Sequence, residues 1–78
     1  MENPRTVFTL KTAREAAGYS QKDASKLIGV SVDTLGNYER GKSYPDVPVL
    51  KKIEAVYHVP YDRLIFLPLD YDKTVNMI

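Results

Sequence analysis

Seventy-eight residues, 44 % of them hydrophobic and 27 % charged, suffice for one small folded domain and exclude a multi-domain enzyme. The absence of cysteine removes disulfides, thiolate metal sites and cysteine nucleophiles, and a single histidine leaves too few ligands for a metal cage, so no cofactor is expected. The net charge is only +1, yet residues 1–52 carry nine cations and six anions while residues 53–78 carry two and four, which concentrates positive potential N-terminally.

Residues 1–8 read as an arm. Thr9 is placed to cap a first helix whose small and apolar positions Leu10, Ala13 and Ala17 share one stripe, and Gly18 is its natural stop, with Tyr19 folding back. Ser20 caps a second helix with Ala24, Leu27 and Ile28 facing inward, and Gly29 ends it. Only Val30 separates that glycine from Ser31, the cap of a third helix running to about Arg40 with Leu35 and Tyr38 inward. Gly41 closes the third helix, and the loop Lys42-Ser43-Tyr44-Pro45 leads to Asp46, the cap of a fourth helix with Pro48 in its first turn and Leu50, Ile53 and Tyr57 as its stripe. His58 takes the position after that helix, where positive φ is expected, and a short fifth helix follows around Tyr61 to Phe66.

The class predicted is all-α, with residues 9–67 as the domain and 68–78 as a tail. The longest strongly apolar run, Leu64-Ile65-Phe66-Leu67, is interrupted by Pro68 and is far shorter than the ~20 residues of a membrane span. The opening residues Met-Glu-Asn-Pro-Arg show no apolar core before a cleavage site. No membrane partner is expected, and a cytoplasmic location suits the composition.

Two capped helices joined by a glycine turn, over Ser20 to Arg40, present one helix outward on the back of another. With Leu35 and Tyr38 inside, helical spacing turns Val32, Asp33, Gly36, Asn37 and Arg40 outward, with Ser31 and Thr34 at the margins. That face has no large hydrophobe to anchor a protein partner, and its short polar groups suit base edges.

These residues carry a resemblance. Ser20-Gln21, Ile28-Gly29-Val30-Ser31, Tyr38-Glu39-Arg40-Gly41-Lys42, Pro45 and Val59 to Ile65 together resemble the phage Cro and repressor-like (XRE) helix-turn-helix family, without a gap from Leu10 to Ile65. The resemblance implies a compact five-helix, lambda-repressor-like domain that binds double-stranded operator DNA as a homodimer, third helix in the major groove, with half-sites about 34–36 Å apart. The implied role is a transcriptional regulator of repressor or Cro type, of possible prophage derivation, and not an enzyme. A protein-interaction module, such as the antitoxin of a toxin–antitoxin pair or an anti-repressor, is the alternative that the domain alone permits.

Position by position, the resemblance puts Val32, Asp33 and Asn37 at base-contacting sites, with Thr34 beside them. Asn37 can pair with adenine, Asp33 can accept from cytosine, and Val32 can pack on a thymine methyl. An acid in a helix's first turn is equally explained by the helix dipole. Gln21, Ser31, Arg40, Lys42, Ser43 and Tyr44 match positions on the sugar-phosphate backbone, with the helix starts at Gln21 and Val47 adding N–H groups. Arg14 and Glu39 fall on core-facing stripes, where the economical reading is one partly buried ion pair, as the family has.

Four positions depart from the pattern. Gly36 replaces a larger residue and either lets the backbone approach the groove or is merely tolerated, Ser25 stands for Ala, His58 for Gly, and Pro60 for a capping residue, which shortens the fifth helix. No small-molecule substrate site is evident. Tyr61, Ile65, Phe66 and Leu67 are more apolar than a domain end requires, and read either as core or as a homodimer patch.

Overall fold

A computed structural model describes residues 6–67 of the chain. Each α-helix begins where a side-chain oxygen accepts an otherwise orphaned amide of the first turn. Thr9 accepts from Thr12 N at 3.1 Å ahead of α1 (Leu10–Ala16), and Ser20 from Asp23 N at 3.1 Å ahead of α2 (Gln21–Ile28). Ser31 accepts from Thr34 N at 3.0 Å ahead of α3 (Val32–Arg40), and Asp46 from Val49 N at 3.0 Å ahead of α4 (Val47–Tyr57).

The stops are equally local. At Gly29, φ is +88°, a conformation that costs an L side chain dearly, and the amides of Gly29 and Val30 both return to the Ser25 carbonyl at 2.8 and 3.0 Å. Three residues therefore turn the chain from α2 into α3. His58 ends α4 at φ 58° and ψ 38°, the one non-glycine residue with positive φ among the described residues.

The expected fifth helix is corrected. Tyr61–Arg63 make a single 3₁₀ turn, after which Leu64–Ile65 extend as a strand, β2. Pro60 brings no side-chain acceptor to start a helix, so the Tyr61 amide is taken instead by Glu54 Oε2 at 2.6 Å. Beyond it, Pro68 disfavours helix at the residue preceding it. β2 pairs in parallel with β1 (Phe8–Thr9), in the register Phe8 to Leu64 and Thr9 to Ile65. Phe8, expected in the arm, is thus part of the folded unit, and Arg63 reinforces this by donating from Nε to the Thr6 carbonyl at 2.8 Å with its guanidinium 5.9 Å from the Phe8 ring centre. The described architecture is mainly helical, with four α-helices and one short strand pair, rather than all-α with five.

Leu10, Ala13, Ala24, Ile28, Leu35, Ile53, Tyr57, Val59 and Leu64 make the core. Ala13 and Ala24 are wholly buried, and their small side chains let helices approach closely. α2 packs on both α3 and α4, which leaves the opposite side of α3 to solvent. Ser25, buried where alanine is usual, satisfies its hydroxyl on the Lys22 carbonyl at 2.9 Å and so fits an apolar contact.

Candidate nucleic-acid interface

Helix α3 is held by a polar knot beneath it. Arg14 of α1 donates from Nε to Glu39 Oε2 at 2.7 Å, and its Nη1 donates to the Tyr19 carbonyl at 2.9 Å. Gln21, at the start of α2, donates from Nε2 to Glu39 Oε1 at 2.9 Å. Both charged side chains are buried, so each depends on the other. The hydrogen bond to Glu39 raises the Arg14 pKa further, against burial, which opposes it. The Tyr57 hydroxyl is buried nearby without a hydrogen-bond partner among the described residues. Burial pushes its pKa up to about 12; the Glu39 charge adds to the push and Arg14 opposes it.

Above this knot, Ser31, Val32, Asp33 and Arg40 are exposed, while Thr34 and Asn37 are half-buried. Val32 leaves 42 % of its surface open, an apolar methyl pair beside carboxylate and amide. Ser31 is a margin residue, because its hydroxyl both caps α3 and donates to Thr34 Oγ1 at 2.9 Å. Gly36, expected on the outward face, is buried, since the Arg40 side chain folds back over it and Nη2 donates to Asn37 Oδ1 at 2.8 Å. A bare backbone open to a groove is therefore not what this glycine provides.

Lys42 is exposed and Ser43 half-buried just past the end of α3. Besides Ser31 and Arg40, two more of the expected backbone-gripping positions have other engagements. Gln21 has one amide hydrogen committed to Glu39, which makes it part of the support of α3. Tyr44 has turned away to donate its hydroxyl to the Leu67 carbonyl at 2.7 Å, and so has no proton left for a phosphate in this conformation. The start of α4 is also a poor anion site, because Pro48 lacks an N–H and the Asp46 carboxylate already caps Val49.

A family model described as "Helix-turn-helix" matches residues 10–64. The chain belongs to the helix-turn-helix family. The resemblance to Cro and repressor-like proteins read in the sequence is borne out by the relatives of this helix-turn-helix chain. It is 41 % identical over 56 residues to the HTH-type transcriptional regulator ImmR of Bacillus subtilis, covering 72 % of this chain and 44 % of that one. It is 33 % identical over 70 residues to the SPbeta prophage-derived HTH-type transcriptional regulator YonR of the same organism, covering 86 % and 65 %. With the HTH-type transcriptional regulator SutR of Escherichia coli it shares 38 % over 60 residues, 77 % of this chain and 34 % of the other. The chain thus spans less than two thirds of the length of these relatives.

An apolar groove is lined by Tyr44, Pro45, Val47, Leu50, Tyr61 and Phe66. The Phe66 ring stands edge-on to Tyr44 at 6.4 Å and tilted against Tyr61 at 6.0 Å. Tyr61 and Ile65 are exposed, whereas Phe66 and Leu67 are half-buried, so the expected patch is split between surface and core edge. Among the described residues no helix is long and apolar enough to cross a membrane.

The Gln21 link to Glu39 and the Arg40 link to Asn37 were not anticipated from sequence. The second left a signal that could have been used: Asn37 and Arg40 are three apart, and the residue four before Arg40 is a glycine, which clears the space that the guanidinium fills.

Proposed function

We propose that this helix-turn-helix chain is a sequence-specific DNA-binding transcriptional regulator of repressor or Cro type. It acts without catalysis by occupying operator DNA with α3 in the major groove. The observation that carries this reading is the α3 face itself, where Val32, Asp33, Thr34 and Asn37 stand outward on a helix whose opposite side is locked by the Arg14–Glu39 knot. Rigid support beneath and small polar groups above are what base reading requires. The relatives' description as transcriptional regulators, one of them prophage-derived, supports the same role.

In this reading Arg40, Lys42 and Ser43 flank the reading helix on the phosphate side, and two chains bind related half-sites through the surface around Tyr61, Ile65, Phe66 and Leu67. The exposed Tyr61 and Ile65 beside an apolar groove support a homodimer there. A cytoplasmic location follows from the role. Titration of the full chain on duplex DNA at two salt concentrations tests the proposal: binding should weaken steeply as salt rises, because phosphate contacts release counterions. Absence of binding to any duplex, with retention of a protein partner, would favour an antitoxin or anti-repressor instead.

A further inference from the structure

The loop between α3 and α4 carries Lys42 and Ser43, assigned above to the phosphate side, and its own backbone does little to fix it. The Lys42 amide returns to the Asn37 carbonyl at 2.9 Å, and the Asp46 carboxylate begins α4 by accepting from Val49 N at 3.0 Å. Between these two anchors, among the described residues, neither Ser43 nor Tyr44 makes a backbone hydrogen bond, and Pro45 has no N–H to offer. What holds the segment is the Tyr44 side chain. Its hydroxyl donates to the Leu67 carbonyl at 2.7 Å, 23 residues further along the chain, and its ring stands edge-on to Phe66 at 6.4 Å. Tyr44 is itself 47 % exposed, so the restraint falls on the loop more than on the core.

A phosphate contact made from an untethered loop must first order that loop, and the entropy of fixing its residues is subtracted from the contact. A loop fixed at its middle loses that freedom on folding instead. We propose that Tyr44 is a positioning residue for DNA binding: without touching the duplex, it holds residues 42–45 so that Lys42 and Ser43 meet the sugar-phosphate backbone together. The inference rests on the DNA-binding reading above.

Tyr44→Phe keeps the ring against Phe66 and deletes only the hydroxyl, so it isolates the tether when the full chain is titrated on a selected duplex and on a scrambled one. Affinity should fall by about fivefold on both, the order of one net hydrogen bond, with the ratio between the two duplexes unchanged. In a Lys42→Ala, Ser43→Ala background the same substitution should change affinity by less than about twofold, since neither side chain remains for the tether to place. Thermal melts of the same samples check that each variant is folded at the temperature of the titration. A purely structural role would lower the melting temperature and leave the affinity loss the same in both backgrounds, and that result would overturn the proposal. Unchanged affinity of Tyr44→Phe would overturn it too, as would a loss confined to the selected duplex, which would put the hydroxyl at a base. A wild type that binds duplex while Tyr44→Phe fails these tests leaves DNA binding intact; a wild type that binds no duplex overturns both.

Discussion

Arg14 and Glu39 lie 25 residues apart in sequence and 2.7 Å apart in space, and this contact fastens α1 beneath the helix that faces outward. Removing either partner leaves the other charged and buried, which costs ~3–5 kcal/mol. Arg14→Ala and Glu39→Ala should each lower the unfolding free energy by an amount of that order, while the double substitution costs less than the sum of the two. A urea titration of the three variants gives the coupling directly. Additive losses would show that the pair is not energetically coupled.

Tyr57 gives a second, pH-dependent handle on the same region. Its folded pKa is raised to about 12 from the ordinary 10, so the folded state holds the phenol proton more tightly than the unfolded chain. The stability from this group is complete below pH 10 and is lost as pH rises from 10 towards 12, at up to about 1.4 kcal/mol per pH unit. Tyr57→Phe removes the unpartnered hydroxyl and should be neutral or slightly stabilising at pH 8. Its advantage over the wild type should widen between pH 9 and 11, as read by thermal melts at each pH; parallel curves would refute the assignment.

The helix boundaries were legible because each is a local event. Thr9, Ser20, Ser31 and Asp46 cap within three residues, and the turn at Gly29 closes on Ser25. The buried partners Arg14 and Glu39 were legible too, since a charge on a core-facing stripe demands one. What was not legible is non-local. The pairing of Phe8 with Leu64 joins opposite ends of the described chain, and a four-residue apolar run reads equally as strand or buried helix. The outward face was assigned by periodicity, which places Cβ directions correctly but does not anticipate the Arg40 side chain lying back on Gly36. Tyr44 was drawn to the phosphate side by its neighbours in sequence, while its hydroxyl goes to Leu67.

In the proposed DNA-binding role, Asn37 and Lys42 separate reading from gripping. Asn37→Ala should reduce discrimination at one operator base pair by ~1–3 kcal/mol while leaving the fold and the salt slope unchanged. Lys42→Ala should weaken specific and random duplexes alike and lower the salt slope by about one. Parallel titrations on a selected site and a scrambled one distinguish the two effects. Equal loss on both duplexes for Asn37→Ala would remove it from the reading face.

Ile65 offers the sharpest test of self-association, because it is 45 % exposed although it lies in β2. Its backbone pairs with Thr9, so a change of side chain there alters surface chemistry with little effect on the core. If the proposed homodimer forms here, Ile65→Glu buries a carboxylate without a partner in its two-fold interface, and burying an unpaired charge is costly. The dimer dissociation constant from sedimentation equilibrium should rise by at least about tenfold, with the thermal midpoint of the monomer unchanged. Affinity for a two-half-site operator should fall with it, because half-sites bound by separate monomers lose the effective concentration that the dimer supplies, while affinity for an isolated half-site stays the same. An unchanged mass distribution would place the homodimer surface elsewhere on the molecule.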